Sequence, residues 1–414
     1  MASYSTPIRT TSSPDLFRNE IKDNFLLESN QIIKDGSSSE LSTSEKNNFQ
    51  KTLIKAAKRA RKEGIGQLLR RGPYHLKRSV YITAQNEIFI LNNTKEDRVI
   101  ASGGQKKVKL ALNPINGQVA AYKVTRWLYD PQQRQEIIEE YELGLKLKGD
   151  ALCHPIEGSL RVESDRVVYL EQYMPHKDLT RFFDKPIERD YIIPLAFQMA
   201  HALAQLHMQG YISRDVKPAN FFVESIDRGE IKIRLGDFGE AVPIALMTSK
   251  KQRPIWTPGY VSPEYKRAAS KAEPERSLAI AEATTKKIDS WALGISMLTL
   301  FKHELVEFID ANPKLKAFLE SEDQNEFVEN LTKKTKWIKK PKNKNTLEYI
   351  IYRLLRINPK RRWTPKHAEH YLKTMSRPLL NDPSEEAMSL TVPSDAESMT
   401  TDFDPHSRTP SPAS

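Results

Sequence analysis

The sequence predicts an α+β fold of two lobes, a small β-rich lobe followed by a larger helical one. Three observations carry that expectation. Between residues 78 and 124 lie four short runs, SVYITA, EIFIL, KVKLAL and VAAYKV, rich in β-branched and aromatic residues and punctuated by Asn92-Asn93, Gly103-Gly104 and Asn116-Gly117. From residue 190 the pattern turns mostly helical, with a brief strand pair near 221–235. Strands first and helices later is the order of an α+β chain, and a ligand cleft between the lobes follows from it.

The elements can be taken in order. Residues 1–50 contain 14 Ser or Thr, including Thr6-Pro7, Ser13-Pro14 and the run SSSELSTS, and read as a disordered tail in which only Phe25, Leu26 and Leu27 look able to pack. Residues 51–70 read as a basic helix with Ile54, Ala57, Leu68 and Leu69 as its apolar members, and 51–97 as an extension of the small lobe. Asn116-Gly117 between KVKLAL and VAAYKV is a hairpin signal. A helix follows around 132–148, then two short strands, LRVE and RVVYLEQY. The main domain is set at 98–375, with its small lobe at 98–172 and its large lobe at 173–375. Residues 376–414, acidic and rich in Ser and Pro, read as a second disordered tail.

Composition narrows the function classes. The chain has 414 residues and a formal net charge of +11, unevenly spread: residues 378–414 hold seven acids and one base, so the body is the basic part. A basic body suits nucleic acid or acidic lipid, but a lysine-rich soluble surface explains it as well, and no stretch interleaves aromatics with Arg as a single-strand binder does. Nucleic acid is therefore not the expected partner. The single cysteine, Cys153, excludes an intrachain disulfide framework and a Cys-rich metal site. No apolar run is long enough to span a bilayer, and the N-terminus has no secretory core, so a cytoplasmic setting is expected.

The chemistry centres on two loops. Asp215, Lys217 and Asn220 fall in the segment SRDVKPAN, between a helical pattern and the strand FFV. A carboxylate, an ammonium and an amide held together can orient a hydroxyl, neutralise a phosphate and ligate a metal. Asp237 follows the strand IKIRL on a glycine-flanked turn, Gly236-Asp237-Phe238-Gly239. Mg2+ takes one or two carboxylates plus phosphate oxygens, which suits Asn220 and Asp237.

These residues closely resemble the eukaryotic-type protein kinase family, Ser/Thr type, as a divergent member. The family carries a catalytic loop, a D-F-G metal turn, an A-P-E helix start and a strand lysine. Here these read S-R-D-V-K-P-A-N, Asp237-Phe238-Gly239, Ser262-Pro263-Glu264, and Lys123 in VAAYK. Ile288 to Gly294 resembles the buried helix whose Asp, here Asp289, braces the catalytic loop, and Asn358 to Arg362 resembles the late motif whose Arg pairs with Glu264. The resemblance covers about 98–375.

It implies a set of roles. Asp215 orients the acceptor hydroxyl, Lys217 stabilises the transferring phosphoryl group, and Asn220 and Asp237 hold metal. Lys123 holds the α/β-phosphates, tethered by a glutamate of the helix that follows. Glu140 is the choice, because Leu143 and Leu147 stand three and seven positions after it, with Glu136 and Glu139 as rivals. The glycine-loop positions are Ala101, Ser102, Gly103, Gly104, Gln105 and Lys106, so only the middle glycine of the family pattern is kept and Lys106 replaces the third; a lysine there could supply charge instead. Val108 fits the adenine roof. Leu170 would be the gatekeeper, the backbone of Glu171 and Tyr173 would bind adenine, and Asp178 would contact ribose or cap a helix. Lys217 and Thr257, the latter bridging Asp215 and Lys217, favour Ser/Thr as acceptor. Ser213 stands where the family has His. Arg214 is kept, in the family often a reader of activation-segment phosphate. The segment 237–264 offers only Thr248 and Ser249 as hydroxyls before Thr257, and Arg253 occupies the common phosphosite.

The resemblance implies an ATP- and Mg2+-dependent protein serine/threonine kinase. The alternative is a pseudokinase scaffold or binding module with little phosphotransfer; nucleotidyl transfer is disfavoured by the retained Asp215 loop. The stretch 51–62, with six bases in twelve residues, offers an acidic membrane or acidic partner a contact, could act as a nuclear import signal, or is simply a solvated helix face. The divergent glycine loop would also suit a secreted effector acting in a host cytosol.

Overall fold

A computed structural model describes residues 43–69, 79–91, 101–103, 106–113, 116–126, 128–227, 230–246, 257–332 and 335–375. The two tails, except for residues 43–50, and Gly104, Gln105, Thr248, Ser249 and Arg253 lie outside them.

The chain starts its described part with helix α1, Thr43–Glu63. It therefore begins inside the stretch expected to be tail, and it stops seven residues before position 70. Gly64 takes a left-handed φ of +67, which ends the helix where a side chain would be strained. Leu68 and Leu69 are consequently not helical. They lie in strand β1, Gln67–Leu69, opposite Tyr81 and Val80.

The small lobe is an antiparallel sheet. Its strands are β1, β2 (Ser79–Ile82), β3 (Ile88–Leu91), β4 (Ala101–Gly103), β5 (Lys106–Leu112), β6 (Val119–Arg126), β7 (Arg161–Val162) and β8 (Arg166–Gln172). They run in the order β1-β2-β3-β5-β6-β8-β7, with β4 paired to β5 as a hairpin. Side chains alternate between the two faces. Tyr122, Val124, Val168 and Leu170 point into a core shared with Tyr81, Phe89 and Leu91. Lys123, between Tyr122 and Val124, points to the other face, and the pairings Val108↔Lys123 and Lys123↔Tyr169 fix which neighbours it meets there. Helix α2, Pro131–Lys146, is capped by Asp130, whose carboxylate accepts from the Gln132 N–H at 2.9 Å, and it carries Glu140 buried.

The large lobe is helical. Helix α3, Arg189–Met208, and helix α6, Lys286–Leu300, are the elements at its centre, with α4 (Pro263–Ala269) and α5 (Glu275–Ala283) between them in sequence. Leu195, Met199, Leu203 and Leu206 of α3 and Trp291, Leu293, Met297 and Leu298 of α6 are all fully or almost fully buried in one core. The ribbon β9–β10, Phe221–Asp227 and Glu230–Leu235, lies on that core through Phe221, Val223, Ile233 and Leu235. The loops that precede β9 and follow β10 are thereby set side by side: the Gly236 N–H donates to the Asn220 carbonyl at 3.0 Å. Those two loops hold Asp215, Lys217 and Asn220 on one side and Asp237 on the other.

Candidate active site

Asp215 is built into its loop by buried anchors. Asp289 on α6, 1% exposed, accepts from the backbone N–H of Ser213 at 2.7 Å and of Arg214 at 2.9 Å. His207 at the end of α3 places Nε2 2.7 Å from the same carboxylate. Ser213 thus keeps the backbone brace without its own imidazole. Sequence reasoning missed His207; its only signal was a histidine closing an apolar helix. Arg214 has a left-handed φ of +64 and bonds the Glu240 carbonyl through Nε at 2.7 Å, with the Glu240 carboxylate 3.7 Å away. The conformation is sparsely populated for a non-glycine residue and persists because the surroundings hold it.

Three donors converge on the Asp215 carboxylate. Lys217 Nζ donates to Oδ2 at 2.7 Å, Asn220 Nδ2 to the same oxygen at 3.0 Å, and the Thr257 hydroxyl to Oδ1 at 2.5 Å. Lys217 also donates to Thr257 Oγ1 at 3.1 Å, so the hydroxyl stands between acid and base. Asn220, buried, donates through Nδ2 to the Asp215 carbonyl as well, at 2.7 Å. Both of these amide bonds are made by its nitrogen, which leaves its oxygen end to act as acceptor.

Asp237 sits on the facing turn with φ +59, and Phe238 after it is buried in the large-lobe core. Gly239 sits close to both acids: a Cβ there would come 3.1 Å from Glu140 Oε2, a tight contact, and 3.8 Å from Asp237 Oδ1. Asp237 and Asn220 offer hard oxygen donors on adjoining loops, a set that fits Mg2+ if phosphate oxygens complete it. No group of three or more His, Cys, Asp or Glu side chains suited to a metal occurs among the described residues.

The cation partners differ from the sequence expectation. Among the four glutamates of α2, Glu140 alone is buried, as the choice required. It does not tether Lys123. Lys123 Nζ lies 2.7 Å from Glu171 Oε2 and 5.5 Å over the Tyr169 ring. Glu140 instead accepts from the Tyr169 hydroxyl at 3.0 Å and faces Lys106 Nζ at 3.9 Å, the same distance that separates Lys106 from Asp237 Oδ1. Burial opposes charge on Lys123, but Glu171 first, then Tyr169, Glu140 and Asp237, hold its pKa well above that of an ordinary lysine. Burial pushes the Glu140 carboxyl upward, and Lys106 opposes that rise more strongly than Lys123 does.

The wall of the cleft is also shifted by one residue. Glu171 shares the Lys123 face of β8, two residues from Tyr169, while Leu170 is fully buried on the opposite face. Leu170 is therefore not a cleft-lining gatekeeper; the side chain in that place is Glu171, expected only for its backbone. Tyr173 follows the strand, half-buried. Val108 lies on the cleft face with Lys106, two residues away along β5. Ala101, Ser102 and Gly103 form β4, opposite Val108, Lys107 and Lys106, whereas Gly104 lies outside the described residues. Asp178 is a cap: its carboxylate accepts from the Thr180 N–H at 2.9 Å and from the Thr180 hydroxyl at the start of a short 3-10 turn, Leu179–Phe182. The Glu264–Arg362 pair forms, at 2.5 and 2.9 Å.

Comparison with known proteins agrees with this geometry. A 218-residue stretch is 29% identical to mitogen-activated protein kinase kinase kinase 3 of Arabidopsis thaliana, covering 50% of this chain and 32% of that protein. Over 263 residues it is 27% identical to serine/threonine-protein kinase TOS3 of Saccharomyces cerevisiae, covering 55% and 43%. Over 222 residues it is 25% identical to the meiosis-specific serine/threonine-protein kinase mek1 of Schizosaccharomyces pombe, covering 51% and 47%. The aligned part spans 32% to 47% of these relatives' length. The protein kinase domain model matches residues 94–373, well over half the chain, and takes in the two loops, the strand lysine and the Arg362 motif alike; this chain belongs to the protein kinase family.

Proposed function

We propose that this chain is an ATP- and Mg2+-dependent kinase acting on protein serine and threonine side chains. The observation that carries the reading is the set of bonds on Asp215. Lys217, Asn220 and Thr257 orient a carboxylate that would align an acceptor hydroxyl and take its proton as the oxygen attacks. Lys217 neutralises charge on the transferring group. Asn220 and Asp237 would hold the cation, which when bound screens phosphate charge. Lys106 and Lys123 bring two ammonium groups to the same cleft. Catalysis of this kind is positioning plus charge neutralisation. Lys217 and its Thr257 bridge support Ser/Thr as the acceptor class, as do the relatives named serine/threonine kinases. A cytoplasmic setting suits an ATP-dependent reaction. The exposed bases of α1 give an acidic membrane surface a contact.

One observation favours the scaffold reading: Lys123 is engaged by Glu171 rather than by Glu140. A single experiment separates the two. The purified chain is incubated with Mg-ATP and a generic acceptor, and phosphosites are mapped beside an Asp237→Ala control. Phosphate on Ser or Thr that disappears in the control supports the kinase. Nucleotide binding without transfer supports the scaffold.

A further inference from the structure

We propose that Lys106, not Lys123, is the ammonium that anchors the nucleotide's phosphates, with Glu140 steering it and Glu171 holding Lys123 on the cleft wall. The inference rests on the kinase reading above and concerns which of the two lysines does the anchoring.

The backbone puts both lysines on one face. Val108 pairs with Lys123, and Lys106 is two residues from Val108, so the alternation of β5 brings Lys106 to the Lys123 side of the sheet. Lys106 is the first residue of β5, and its side chain is 56% exposed. It lies 3.9 Å from Glu140 and 3.9 Å from Asp237. That distance is attractive for charges but too long for a direct hydrogen bond, so neither contact uses one of its N–H donors.

Lys123 is in the opposite condition. Its ammonium makes a short bond to Glu171 at 2.7 Å, in a site where the two side chains are 22% and 13% exposed. To meet a phosphate it must give up a desolvated ion pair, and Glu171 would be left without its cation. Lys106 gives up only loose contacts. Glu140 does not need Lys123 to hold its place, because the Tyr169 hydroxyl already fixes one of its oxygens at 3.0 Å and Gly239 leaves room beside the other. The position of helix α2 is thus passed to the nucleotide through Glu140 and Lys106, beside Lys123 on the same face of the sheet.

The test compares ATP with adenosine, which lacks phosphates, by calorimetric titration of the full chain. Lys106→Met is expected to weaken ATP by about 10- to 100-fold, the range of one lost charged hydrogen bond, and to leave adenosine unchanged. Lys106→Arg should keep most of the ATP affinity. Lys123→Met should weaken ATP clearly less than Lys106→Met does. Adding Glu171→Gln to Lys106→Met frees the Lys123 ammonium, and ATP affinity should partly recover; no recovery overturns the role given to Glu171. An ATP loss in Lys123→Met equal to or greater than that in Lys106→Met overturns the anchoring role. A wild-type chain that binds neither ligand and transfers no phosphate sinks the kinase reading itself, whereas a wild type that binds ATP while Lys106→Met binds it equally well sinks this inference alone.

Discussion

Glu264 and Arg362 stand 98 residues apart and meet as a two-pronged pair, Nη1 to Oε1 at 2.5 Å and Nη2 to Oε2 at 2.9 Å. The Arg362 side chain is fully buried, and it also donates to the carbonyls of Lys287 at 2.8 Å, Arg356 at 2.9 Å and Ile357 at 3.4 Å. Its plane also lies over the Trp291 ring at 5.1 Å. One guanidinium therefore ties the start of α4, which closes the activation segment, to α6, which carries Asp289.

Removing that guanidinium leaves a largely desolvated, uncompensated carboxylate, 16% exposed, and four orphaned contacts, three carbonyls and one ring. Arg362→Ala should cost about 3–5 kcal/mol, the usual range for breaking a buried pair from one side. For a domain of this size that is a fall in melting temperature on the order of 10 °C. Calorimetry checks it, and an unchanged transition would mean the pair is not a stability element.

The two central acids should separate by readout. Asp215→Asn removes a base and leaves the Asp237 turn intact, so phosphotransfer should fall by several orders of magnitude while ATP still binds. Asp237→Ala removes a hard oxygen donor, so transfer should fall and the Mg2+ dependence of ATP binding should be lost. Titrations with and without Mg2+ distinguish the two. Equal transfer by either variant and wild type would remove these residues from the mechanism.

Much of the site could be read from residue order, and the misreadings share a cause. Asp215, Lys217, Asn220 and Asp237 come from two short loops, where local sequence controls the spacing. The Glu264–Arg362 pair depends on partners held rigidly by helices. Lys123, Glu140, Glu171 and Lys106 are different: four charges converge from four elements, and which cation meets which anion turns on shifts of a few ångströms that no spacing records. Leu170 shows the parity problem in its simplest form. Strand β8 is identified easily, yet one residue of slip exchanges its two faces, and only the pairing Lys123↔Tyr169 puts Glu171 in the cleft. Helix α1 was misjudged at both ends because Thr43 to Gln50 has the composition of a tail, and because Leu68 and Leu69 suit either a helix or a strand edge.

Helix α1 gives the partner question a sharper form. Ala57 and Ala60 are buried, while Lys51, Lys55, Lys58 and Lys62 are exposed. Their spacing of four, three and four residues puts these lysines on one stripe. The apolar side is used against the small lobe, so it is not available to insert into a bilayer. Binding to an acidic surface would then be electrostatic alone, worth about 1 kcal/mol per lysine, and lost as salt rises. Pelleting with anionic vesicles should disappear when all four are changed to Gln, with transfer to a soluble acceptor unaltered. Pelleting that is indifferent to lipid charge or salt would rule the stripe out.

Thr257 offers the most selective test of the acceptor side. Its hydroxyl donates to Asp215 and accepts from Lys217, so it fixes the distance between the base and the cation without any contact in the Lys106–Glu140 cluster. Thr257→Val keeps the shape and removes both bonds. Asp215 and Lys217 then keep only their direct 2.7 Å contact, and the carboxylate loses the donor that aims Oδ1. Misplacement of a reacting group by about 1 Å can cost about 100-fold in rate, so a fall in kcat of about 10- to 100-fold is expected. KM for ATP should hold, because nothing that faces the phosphates has moved, and Thr257→Ser should restore most of the rate by restoring the hydroxyl. The measurement is steady-state kinetics with ATP and acceptor varied in turn. A Val variant that loses ATP affinity instead of kcat would mean that Thr257 supports the cleft as a whole, and the bridge would no longer argue for a serine or threonine acceptor.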